Sequence, residues 1–117
     1  MQARLIAFGE IEVEKERYDY DVVIDGGKVR KRKKGPSKQY REETGHTPLS
    51  IKEEIPWGGN QLVVGTGAYG RLPIMTEVRE EADRRGIKLV AVPTEEACRM
   101  LRELKPKETH AILHTTC

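Results

Sequence analysis

The sequence predicts a mixed-sheet α/β sandwich, and three features carry that prediction. Up to about residue 45 the chain is a series of short apolar runs separated by turn signals, as in antiparallel strands. Over residues 61–115 strand-like and helix-like runs alternate, which implies right-handed crossovers and parallel pairing. A length of 117 residues matches one domain and buries a core without metal or disulfide staples.

The elements follow in order. RLIAFG, EIEVE and YDVVID are strands, and Gly26 and Gly27 turn the third back into KVRKRKK as a hairpin. In EIEVE, Ile11 and Val13 alternate with acids, as on a strand with one wet face. SIKE, residues 50–53, has the form of a capping box and predicts a short helix before Pro56. QLVVG is a buried strand. TEVREEADRR is a helix capped by Thr76, with Glu77 at its positive end and Arg84, Arg85 and Gly86 closing it. IKLVAV is a strand, TEEACRMLREL a helix capped by Thr94 with Glu95 and Glu96 in its first turn, and HAILHTT the last strand. Cys98 flanks Ala97, Leu101 and Leu104 at helical spacing and is assigned to the core.

Charged residues make up 34% of the chain against 37% hydrophobic, and Asn plus Gln total four, the composition of a soluble protein rich in surface ion pairs, as in thermophiles. No apolar run approaches the roughly 18 residues of a membrane helix, and MQARLIAFGE lacks the basic-then-apolar build of a signal peptide, so a cytoplasmic location is expected. Cys98 and Cys117 lack C-x-x-C spacing and are read as reduced thiols. No cofactor and no metal is expected.

The stretch GTGAYGR, residues 65–71, contains G-x-G-x-x-G after an apolar run. A dinucleotide site needs a helix opening within the glycines and an acid closing the next strand. Here Pro73 and the cap at Thr76 separate the glycines from the helix, and the next strand ends at Val92, Pro93 and Thr94 without an acid. The simplest reading is that Gly65, Gly67 and Gly70 supply positive φ angles or close backbone approach. The bend still lies at the carboxyl end of a parallel strand, where crevices form, so exposed amides of Gly65, Thr66, Gly67, Tyr69 and Gly70, with Arg71, are candidates to hold a phosphate or carboxylate.

Taken together, YDYDVVIDGG, RKKGPSK, GHTPLS, LVVGTGAYGRLP, PTEEAC and the ending HTTC resemble one family of small α/β domains. That family includes prokaryotic proteins of unknown function, the mammalian adipogenesis-associated protein and a mitochondrial complex I assembly factor. The resemblance spans nearly the whole chain. It implies a three-layer sandwich with a central mixed, largely parallel sheet of about five strands, flanking helices and an additional β-hairpin layer. It implies no known reaction, since the eukaryotic relatives act as assembly or regulatory factors. One departure concerns His46: the prokaryotic relatives read approximately G-T-S-H where this chain has T-G-H.

Residues 28–41 hold eight Lys or Arg and no acid, so the net charge of +2 leaves about −6 elsewhere. On one ribbon, Lys28, Arg30, Lys31, Arg32, Lys33 and Lys34 form a field that attracts an acidic protein. The same lysines also solvate a strand and guard its edge. Aromatic platforms are scarce, with Tyr40 alone near the patch, which argues against nucleic acid. Candidate proton carriers are His46, His110 and His114, with Cys117 as a thiol. His110 and His114 fall on one side of a strand about 13 Å apart, too far to share one metal unaided. The favoured reading is a non-enzymatic interaction or assembly module with an anion-binding crevice. The alternative is a small enzyme for a phosphorylated or carboxylated metabolite, in which Arg71 orients the anion and His46 or His114 moves a proton.

Overall fold

The computed structural model describes residues 1–117, apart from the side chain of Thr44. The strands β1 (Ala3–Ala7), β2 (Glu10–Val13) and β3 (Glu16–Tyr18) form a three-stranded antiparallel sheet. The strands β4 (Val22–Asp25), β5 (Lys28–Lys31), β6 (Gln61–Gly65), β7 (Lys88–Val92) and β8 (His110–Leu113) form a five-stranded mixed sheet in the order β5-β4-β8-β6-β7. The helices are α1 (Arg41–Thr44), α2 (Thr76–Arg84) and α3 (Thr94–Leu101), with short 3₁₀ segments at Gly35–Tyr40 and Pro106–Glu108.

Gly26 and Gly27, at φ +59° and +87°, make the tight turn that their sequence announced, and the hairpin register runs from Asp25 opposite Lys28 to Val22 opposite Lys31. This hairpin is not a separate layer. Its strands form one edge of the main sheet, and the second sheet is built from the first three strands. The main sheet is also less parallel than expected: β8 pairs parallel with β6 but antiparallel with β4. The last strand thus fills the gap between the two halves of the chain, and all four residues of HAIL are buried.

Two apolar clusters occupy opposite faces of that sheet, as the two-residue period of a strand requires. Val22, Ile24, Val63, Ala111 and Leu113 pack with Ile11 and Val13 of β2 and with Ala97, Cys98 and Leu101 of α3. Val23, Leu62, Val64 and Ile112, one residue out of phase, pack with Val78 and Ala82 of α2 and with Leu49 and Ile55. Burial pushes the Cys98 thiol up to about 11, in keeping with a core role. The Met1 amine donates to Leu101 O and Leu104 O, so a cation sits on the negative end of α3.

Three local expectations need correction. Residues 50–53 form a turn rather than a helix, because Glu53 faces inward to a buried arginine instead of capping. Thr76 is the first residue of α2 behind Met75 and makes no side-chain cap. Thr94 likewise follows Pro93, and its hydroxyl accepts from the Gly67 N–H at 2.8 Å and donates to His114 O at 2.5 Å. It joins three segments instead of closing a helix end.

Candidate functional site

The carboxyl ends of β6 and β8 and the entry to β4 all lie at one end of the main sheet, because β4 runs against β8. Loop 65–71, tail 114–117 and the basic segment 34–47 meet there. They enclose a cleft of about 300 Å³ walled by Arg32, Lys34, Lys38, Arg41 and Arg71, with His46 and His114, and among the described residues no acidic side chain lines it. Arg71, His46 and His114, separate in sequence, thus share one concave surface.

Five of the loop amides are spent on partners inside the chain. Thr66 N donates to Val92 O, Gly67 N to the Thr94 hydroxyl, Ala68 N to Thr116 O, Gly70 N to Gly67 O and Arg71 N to Cys117 O, at 2.7–3.2 Å. The glycines serve packing. A Cβ on Gly67 would stand 2.4 Å from the Cys117 carbonyl carbon, and one on Gly65 would stand 2.8 Å from the Thr94 hydroxyl. Gly67 and Gly70 also hold φ of +113° and +67°. The cations that line the cleft are side chains. Of the predicted loop residues, only Arg71 lines it, while Tyr69 stands outside, 67% exposed.

Beneath the cleft lies a buried polar chain. The register carries Asp21 beyond β4 so that it faces Arg32 on one side and His114 on the other. His114 Nδ1 and Asp21 Oδ2 are 2.7 Å apart, and Asp21 Oδ2 accepts from Arg32 Nη1 at 2.9 Å. Asp21 Oδ1 accepts from the Thr115 N–H at 2.9 Å and from its hydroxyl at 3.2 Å. Arg32 grips Glu53 with Nε at 2.8 Å and Nη2 at 2.9 Å and donates to Pro48 O at 3.0 Å. Glu53 accepts from the Ser37 hydroxyl at 2.5 Å, which contacts Ser50 Oγ at 2.6 Å.

Burial alone would favour a neutral Asp21, but the hydrogen bond and charge of His114, the Thr115 amide and Arg32 outweigh it and hold the carboxyl well below the usual carboxylate range. Burial likewise opposes the Arg32 cation, and Glu53 and Asp21 reverse that, so its pKa is raised. Arg32 is therefore no part of an exposed basic patch: it is 4% exposed and ion-paired on two sides. The other hairpin cations are dispersed. Arg30 donates to Glu54 O at 2.6 Å, Lys31 Nζ lies 5.0 Å from the Tyr20 ring centroid, and Lys33 stands 3.9 Å from Glu54. Lys28 to Lys31 lie on the edge strand β5, where lysines discourage pairing with another chain. Of the predicted hairpin cations, Lys34 and the buried Arg32 line the cleft, with Lys38 and Arg41 from further along.

Sequence reasoning missed Asp21. A signal existed, since counting outward from Gly26 and Gly27 places it opposite Arg32. Its contact with His114 depends on a strand pairing across the whole chain and had no local signal. His110 sits at the opposite end of β8, buried, with Nε2 3.8 Å from Asp25 Oδ1. Among the described residues no cluster of His, Cys, Asp and Glu could hold a metal ion, and no helix is long and apolar enough to cross a membrane. Cys117 is a free thiol at the cleft wall, and Cys98 is free in the core.

Comparison with known proteins places this architecture among solved structures without an assigned role. A conserved hypothetical protein from Pyrococcus horikoshii is similar at 27% identity with a TM-score of 0.76, each chain covered over 100% of its length. A structure titled MT938 is similar at 21% identity with a TM-score of 0.70, covering 99% of this chain and 98% of that one. A Xanthomonas campestris protein solved by NMR shares the fold at 18% identity with a TM-score of 0.59, covering 97% of this chain and 83% of that one. No curated protein matches the chain. A family profile matches residues 4–114, and the chain belongs to that family, described as protein of unknown function (DUF498/DUF598).

Proposed function

We propose that the chain is an anion-binding module whose cleft at the end of the main sheet receives a phosphorylated or carboxylated group. One observation carries the reading: Lys34, Lys38, Arg41 and Arg71, with His46 and His114, line one concavity without an acidic side chain. Cations converging in a cleft with low-dielectric walls focus a positive potential and concentrate anions. Arg41 and Arg71 offer the planar fork that suits phosphate and carboxylate oxygens. An acidic protein segment docking here would use the same groups, in keeping with the resemblance to eukaryotic assembly factors and with a three-layer scaffold whose role is recognition. The buried chain from His114 to Ser50 fixes the floor of the cleft.

The arrangement of His114 favours a second reading. Its Nδ1 meets a buried carboxylate at 2.7 Å, and its other nitrogen lies 3.3 Å from the Thr116 hydroxyl at the cleft. A carboxylate that fixes an imidazole leaves the far nitrogen poised for proton transfer, the arrangement a small enzyme for a phosphorylated or carboxylated metabolite would use.

Thermal melting with inorganic phosphate, pyrophosphate and citrate tests the first reading. A ligand at a hundred times its Kd stabilises by about 2.7 kcal/mol, so the midpoint rises by several degrees. Arg71→Ala should abolish the rise. No rise with any of the three anions would defeat the proposal. Turnover lost in His114→Gln with anion binding intact would establish the second reading.

A further inference from the structure

An exposed aromatic pair stands outside the cleft, beside Arg71 of its wall. Among the described residues, Phe8 and Tyr69 are two of three exposed large hydrophobic side chains, at 56% and 67% exposure. Their ring centroids are 5.9 Å apart although they are 61 positions apart in the chain. Single exposed apolar side chains are ordinary, but two rings brought together from distant segments are a built feature.

Both rings are mounted on the backbone of the cleft wall. Gly9, beside Phe8, donates to Thr115 O at 2.8 Å, and a Cβ on Gly9 would lie 3.9 Å from Thr116 Cγ2. Ala68 and Gly70, on either side of Tyr69, are tied by their amides to Thr116 O and Gly67 O. Arg71 joins the two regions: it lines the cleft, and its guanidinium carbon lies 6.0 Å from the Tyr69 ring centroid. Arg71 thus belongs to the cationic cleft and also stands against the exposed ring pair.

Resting on the anion-binding reading, we propose that the ligand is a nucleoside phosphate, its phosphate held by Arg41, Arg71, Lys34 and Lys38 and its base stacked on Tyr69 and Phe8. Base stacking on an aromatic side chain is tolerant of base identity and adds to the electrostatic grip on phosphate. A cleft of about 300 Å³ lies at the small end of ligand pockets. One cleft with one ring pair suits a single nucleotide rather than a strand, which needs successive platforms along a groove.

Calorimetric titration of the full chain with inorganic phosphate, ribose 5-phosphate, adenosine 5′-monophosphate and a 5′-phosphorylated oligothymidylate tests this. The expected result is that adenosine monophosphate binds about tenfold more tightly than ribose 5-phosphate. In Phe8→Ala/Tyr69→Ala that advantage should vanish while ribose 5-phosphate affinity is unchanged, which shows that the variant is folded and the anion site intact. Equal affinity of the two ligands in the wild-type chain, or an advantage that survives loss of both rings, overturns the inference but leaves the anion reading standing. An oligonucleotide bound far more tightly than the mononucleotide overturns the single-nucleotide assignment in favour of a strand. Failure of all four ligands to bind overturns both readings.

Discussion

Asp21 joins the cleft's histidine to the buried arginine. Its two oxygens receive His114, Arg32, and the amide and hydroxyl of Thr115, so its carboxylate fixes the imidazole and neutralises half of a buried guanidinium's surroundings. Removing one member of such a group leaves a charge buried without its partner, which costs more than the intact pair contributes. Asp21→Asn should lower stability at neutral pH by about 3 kcal/mol, read as a shift in urea midpoint. The pH dependence has a definite sign. Asp21 ionises more readily folded than unfolded, so its contribution is full above its ordinary value of 3.8 and is lost as pH falls from there toward the folded value. The stability gap between wild type and variant should therefore narrow below about pH 4. A gap that stays constant down to about pH 2.5 would show that the Asp21 charge contributes nothing to the fold.

At the scale of elements, the bend after β6 and the tail after β8 form one unit stitched by Thr94, with Gly67 at the point of closest approach. Gly67→Ala places a Cβ 2.4 Å from the Cys117 carbonyl carbon at a φ of +113°, so the tail must move. Gly70→Ala meets nothing closer than 3.5 Å and faces only the left-handed backbone penalty. The expected order is a cost of about 1 kcal/mol for Gly70→Ala and more than about 3 kcal/mol for Gly67→Ala, with cleft binding lost in the latter. Equal costs in chemical denaturation would contradict the close contact. This unit also shows why the G-x-G-x-x-G spacing misleads: spacing reports where backbone can approach, not what approaches it. Here the approaching group is the chain's own tail. Seven of the eight strands and the two longer helices were legible because their periodicity is local, whereas β3, three residues with no buried position, was not read from the sequence. The place of β8 between β4 and β6 was not, since its pairing with β4 spans more than 80 residues and leaves no local mark. For the same reason Arg32 was read as exposed, when a buried ion pair to Glu53 requires a segment that only the tertiary fold brings near.

Across the whole molecule, the net charge of +2 conceals a separation: the cations of segment 34–41 meet Arg71 at one end of the main sheet, and the remaining chain is acidic on balance. On the anion-binding proposal, affinity grows with the cations that converge, and salt weakens it by screening. The claim at the centre of the account is that these side chains, not the loop amides, hold the ligand. Backbone amide NMR during a titration with inorganic phosphate measures this most directly. The account predicts saturable shifts concentrated at Lys38, Arg41, Gly45 to Thr47, Arg71 and His114, abolished in Arg71→Ala and weakened by added chloride. Unsaturable shifts spread over the surface, or saturable ones centred on His110 at the far end of the sheet, would contradict it.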